Sequence, residues 1–77
     1  MNSKQRRKYK RMYKHTVTLI NKPEESWTKY DARVDAGIDW CKTNCDEEGF
    51  KIKHLYGYTE YYFVDGKQAT LFALRFA

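Results

Sequence analysis

Trp27, Tyr30, Val34, Ile38, Cys41 and Cys45 recur at steps of three and four residues. At 100° per residue they fall within about 60° of one another, a narrow apolar stripe on one face of a helix running from about residue 24 to residue 46. The stretches on either side change period. HTVTLI, residues 15–20, is β-branched and alternating, with Val17 and Leu19 on one side and Thr16, Thr18 and Ile20 on the other. FKIKHLYGY begins the same way, Phe50 and Ile52 opposite Lys51 and Lys53. One amphipathic helix between β segments has an economical solution, which is to lay its stripe on a sheet.

The helix start is marked by Asn21, Pro23, Glu24 and Glu25, and Gly49 is a plausible stop. Gly57 suggests a bend or bulge. Asp65-Gly66 lies between two runs that read as strands, TEYYFV and KQATLFALRF. That pairing predicts a two-residue type I′ hairpin with Val64 opposite Lys67. Thr59, Tyr61, Phe63, Thr70, Phe72, Leu74 and Phe76 would then share one sheet face, against the helix. Tyr58, Glu60, Tyr62, Val64, Lys67, Ala69, Leu71, Ala73 and Arg75 would share the other. The fold class expected is α+β: a basic N-terminal arm, then β-α-β-β-β, with one helix on one face of a mostly antiparallel sheet. The domains are an arm over 1–14, flexible or helical, and a single domain over 15–77. A chain of 77 residues has room for no more.

Charge divides the chain at the same place. Lys4, Arg6, Arg7, Lys8, Lys10, Arg11 and Lys14 stand in a stretch without an acid, whereas the remainder carries eight cations against ten acids. A slightly acidic domain with a basic arm points to a polyanionic partner, nucleic acid or an acidic protein surface. The arm would supply phosphate contacts. Lys51, Lys53, Lys67 and Arg75 around Tyr58 and Tyr62 would supply stacking on the open sheet face.

A second set of residues suits a protein interface. Tyr9 and Tyr13 interleave with the arm's cations, Leu71 lies on the open face, and Trp40 sits about 140° from the helix stripe. A covering loop or the arm would equally explain Trp40. Pairing through an exposed strand edge would make a homodimer. Asp31, Asp35 and Asp39 recur every four residues and read as a solvated flank.

No catalytic residue, metal ligand or cofactor is assigned. Cys41 and Cys45 stand on the core stripe, where free Cys behaves as a small hydrophobe. Their spacing, with His15 and His54 remote, is a poor zinc pattern. No apolar run is long enough to span a membrane or to serve as a secretory signal, so the location expected is cytoplasmic. In size and composition, a tiny aromatic-rich domain with a basic arm, the chain resembles small accessory proteins of bacteriophages. That resemblance implies a viral protein that binds nucleic acid or inhibits a host enzyme such as RNA polymerase, and it assigns no residue. The reading from the residues is a small DNA- or RNA-binding module. Its alternative is a protein-interaction module that binds or inhibits a larger enzyme handling nucleic acid.

Overall fold

The computed structural model describes residues 13–77. The basic positions Lys4 to Arg11, and Tyr9 among them, lie outside the described residues. The order is β1 (His15–Ile20), α1 (Trp27–Asn44), β2 (Phe50–Leu55), β3 (Tyr58–Phe63) and α2 (Gly66–Phe76). The three strands form an antiparallel sheet in the order β1-β3-β2. The α+β class therefore holds, and the element order is β-α-β-β-α.

α1 begins three residues later than its acids suggest. Lys22 to Glu25 closes a turn first, Glu25 N–H donating to the Lys22 carbonyl at 2.9 Å. Pro23 is the second residue of that turn, where its fixed φ is an advantage. Ser26 is the N-cap: its backbone is extended and its hydroxyl accepts from Lys29 N–H at 3.2 Å. At the other end Lys42 lies in the last turn, favourable for the helix dipole. Gly49 acts after the helix, within a turn closed by its N–H on the Asp46 carbonyl at 2.8 Å.

The fourth strand of the sequence reading is a helix. Asp65 is its N-cap, with the carboxylate accepting from Lys67 N–H at 2.8 Å. A type I′ turn needs positive φ at both central residues, and neither Asp65 nor Gly66 has one, Gly57 being the positive-φ residue at 83°. Asp-Gly serves helix capping as well as it serves a hairpin. Ala69, Phe72, Ala73 and Phe76 also recur at steps of three and four, and Lys, Gln, Ala, Leu and Arg favour helix over strand. Gly66 has its own reason to be there: a Cβ at that position would meet the His15 ring at 3.0–3.1 Å.

The actual hairpin joins β2 to β3 through Tyr56-Gly57, with Leu55 opposite Tyr58. Negative φ at Tyr56 and positive φ at Gly57 is the pattern of a type II turn.

Both helices pack on the Leu19, Thr59, Tyr61, Phe63 side of the sheet. Tyr61 Oη donates to the Val34 carbonyl at 2.7 Å. The Tyr30 and Thr59 hydroxyls lie 2.9 Å apart, deep between α1 and β3. α2 sits against β1, β3 and α1. At the joint of all these elements is Phe72, fully buried, its ring centroid 4.4 Å from Tyr61, 5.2 Å from Phe63 and 5.7 Å from Trp40. Gly37 lets this joint close: a Cβ there would meet Tyr61 Oη at 3.0 Å and the Phe72 ring at 3.1 Å. Arg33 then ties the edges together. Its guanidinium forks onto Glu25 at 2.8 and 3.0 Å and reaches the carbonyls of Ile20 and Phe76. The Arg33 guanidinium beside Glu25 holds that carboxyl below its usual range.

Candidate nucleic-acid interface

With both helices on one side, the opposite face of the sheet is left to three cross-strand rows. Thr16, Tyr62 and Lys51 form the first, Thr18, Glu60 and Lys53 the second, Ile20, Tyr58 and Leu55 the third. β3 is the central strand, so its two tyrosines stand in the middle of the face, about 13 Å apart along the strand with Glu60 between them. Lys51 and Lys53 are exposed along one side, on edge strand β2, and Thr16 and Thr18 along the other. Tyr58 is exposed and Tyr62 half-buried. The Tyr62 hydroxyl donates to Glu60 Oε2 at 2.8 Å, which engages the one acid of the face.

Lys14 is exposed immediately before β1, and strand alternation carries it to the side of Thr16. The first row of the face, with Tyr62 and Lys51, is therefore the row next to the point where residues 1–12 join the domain. Tyr13 holds that junction. It is buried, and its hydroxyl donates to the Glu48 carbonyl at 3.0 Å, across the sheet from β1. The ring that suggested an interface is thus spent on the chain's own fold.

Three other sequence-derived positions leave the sheet because their segment is helical. Lys67, Leu71 and Arg75 are exposed on α2 and share no surface with Tyr58 and Tyr62. Trp40 is half-buried, edge-on to Phe72 and Phe76 at 5.7 and 6.5 Å, so α2 is its cover. Glu60 takes the place on the open face that alternation gives it, and Ile20 and Leu55 join it there, two residues the sequence reading does not place among the contacts. Strand register would have found them, once β3 is set between β1 and β2.

Cys41 and Cys45 are buried free thiols one turn apart. Burial, then the neighbouring Cys45, push the Cys41 thiol up to about 12. Burial raises Cys45 as well. Such thiols are poor nucleophiles at neutral pH. Among the described residues, no group of three or more His, Cys, Asp or Glu side chains is placed to hold a metal ion, and no helix is long and apolar enough to cross a membrane. Compared with protein-family models, curated proteins and solved structures, the chain finds no match.

Proposed function

We propose that the chain binds single-stranded nucleic acid across the open face of the sheet, with the basic N-terminal segment adding phosphate contacts. The observation that carries this reading is the alignment of Lys51 and Lys53 beside Tyr58 and Tyr62, continuous with Lys14 at the end of the basic segment. Unpaired bases stack on aromatic rings with little regard to sequence, and lysines beside the rings take the phosphates. Threonines on the remaining edge offer hydroxyls for sugar or phosphate contacts. The binding is then strong in charge and weak in base preference. If six or more phosphates are neutralised, raising salt from about 50 to 200 mM weakens binding by on the order of 10³. Fluorescence anisotropy with an unstructured labelled oligonucleotide, DNA and RNA in parallel, measures this. An affinity nearly constant over that salt range contradicts the proposal.

A second reading is favoured by Leu71 and Leu74, exposed at 57% and 80% on the outer side of α2. In that reading α2 docks on a larger protein, and the basic segment occupies a groove meant for nucleic acid. Leu71→Ser with Leu74→Ser would then abolish capture of a stoichiometric partner that survives nuclease, whereas Lys51→Gln with Lys53→Gln would not.

A further inference from the structure

The mouth of a second, oppositely charged site lies at the far end of the molecule from Lys14. α1 begins at Trp27, and Asp31 and Asp35 follow at intervals of four, so the three side chains form a ridge along one flank of the helix. The β2–β3 hairpin rises opposite. Between them is a cleft of about 650 Å³, lined by Trp27, Asp31, Asp35, His54 and Tyr56 over a floor that includes Tyr30. That volume falls within the usual range of small-ligand sites.

Two features of the lining are unusual for a merely structural crevice. The first is aromatic exposure. Tyr56 is 93% exposed at the first central position of a two-residue turn, and Trp27 is 51% exposed at the first position of α1. Their ring centroids are 5.9 Å apart, tilted at 50°, so they form one wall at the mouth. Tyr56 takes no part in the core, and Trp27 meets it only edge-on at the Tyr30 ring, 5.9 Å between centroids. The second is uncompensated charge. Among the described residues the sole ion pair is Arg33 with Glu25, so Asp31 and Asp35 face the cleft without a cation, and no lysine or arginine lines it. The polar groups of the floor are already engaged with one another. The Tyr30 and Thr59 hydroxyls lie 2.9 Å apart, and His54 Nδ1 lies 3.5 Å from the same Thr59 oxygen.

We propose that this cleft receives an arginine side chain from a partner polypeptide. A cation is attracted by ring faces and by carboxylates together, and the aliphatic stem packs on the rings while the head reaches the acids. Guanidinium suits the arrangement better than ammonium, since it stacks flat on an aromatic ring and forks onto a carboxylate. Phosphate is repelled by the same two aspartates. The site is therefore independent of the sheet face and stands whether or not that face binds nucleic acid. If both operate, the chain holds a polyanion on one side and a basic polypeptide on the other.

The test is a titration of the full chain, labelled with ¹⁵N, with blocked Gly-Xaa-Gly peptides in which Xaa is arginine, lysine, norleucine or glutamate. The arginine peptide should shift the Trp27 indole and the amides of Asp31, Asp35 and Tyr56 in a saturable way. Lysine should bind several-fold more weakly, and norleucine and glutamate should leave the spectrum unchanged. Asp31→Asn with Asp35→Asn should weaken the arginine peptide at least tenfold at low salt, and Tyr56→Ala several-fold. Both changes are at exposed positions, and dispersed amide spectra would show the fold kept. Equal shifts with norleucine, equal affinity for lysine and arginine, no saturation at millimolar peptide, or unchanged binding by the folded double variant would each overturn the proposal.

Discussion

β3 shows two fates of one strand. Thr59, Tyr61 and Phe63 point toward the helices and are buried, Tyr61 and Phe63 completely. Tyr58, Glu60 and Tyr62, at the alternate positions, face away. Both sides are aromatic, so hydrophobicity does not separate them. Company does. On the inner side each hydroxyl has a buried partner: Tyr61 Oη on the Val34 carbonyl, Thr59 with Tyr30. On the outer side Tyr62 stands between Thr16 and Lys51 and Tyr58 between Ile20 and Leu55, and no helix among the described residues covers them. A Tyr on the inner side is a core residue with a polar tether, and a Tyr on the outer side stays at the surface, where the proposed interface would use it. The difference is made by α1 and α2 both choosing the same face.

The largest effect should come from breaking the inner side. Phe72→Ala removes the ring shared by β3, α1 and α2 and should cost about 3–5 kcal/mol, a large part of the stability of so small a domain. Urea denaturation measures it, and a loss below about 1 kcal/mol would show that the joint lies elsewhere.

Alkali should attack the same side next. Cys41, Cys45 and Tyr61 all have their protonated forms favoured by burial. Groups raised in the folded state contribute stability that is complete below their unfolded values and is lost as pH rises. Stability should therefore be flat up to about pH 7.5, a unit below the ordinary thiol value of about 8.5, where an unfolded thiol begins to ionise. From there it should fall toward the Cys41 value of about 12, by about 1.4 kcal/mol per pH unit for each proton withheld. A thiol reagent should correspondingly react with neither cysteine in the folded chain at pH 8 and with both in urea. Rapid labelling without denaturant would contradict the burial of this pair.

On the outer side stability should hardly move and binding should. Tyr58→Ala should weaken an unstructured oligonucleotide by about 1–3 kcal/mol, the worth of one stacked base. The midpoint of urea unfolding should stay close to that of the parent chain. A Tyr58→Phe variant, which keeps the ring, should retain most of the affinity. Lys51→Gln and Lys53→Gln should have the smallest effect, each lowering the slope of log affinity against log salt by about 1. Slopes that stay unchanged in both would place the phosphates away from β2.

Much of this division is legible in the residues. β1 and β2 occupy the stretches whose alternation marks them, and the stripe from Tyr30 to Cys41 is the core face of α1, with Cys45 buried at its C-cap. The C-terminal segment is not legible in the same way. Phe72, Leu74 and Phe76 alternate, while Ala69, Phe72, Ala73 and Phe76 keep helical spacing, and both patterns put Phe72 inside. Asp65-Gly66 suits a hairpin or an N-cap, so local chemistry does not arbitrate. Tertiary space does: a helix crossing β1 and β3 covers the inner side that α1 alone leaves open. The consequence for the site is direct, because Lys67, Leu71 and Arg75 go with the helix. Trp27 escapes the pattern for a different reason. Its angle on the helix is that of the core stripe, but it is the first residue of α1 and stands beside the hairpin turn, against Tyr56.

The most direct measurement is a ¹⁵N-resolved titration of the full chain with an unstructured single-stranded oligonucleotide at low salt. The amides of Thr16, Thr18, Lys51, Lys53, Tyr58 and Tyr62 should shift together, with those of α1 and the outer side of α2 unmoved. Shifts confined to the helices, or none anywhere in residues 13–77 at saturating oligonucleotide, would contradict a nucleic-acid interface on the open sheet.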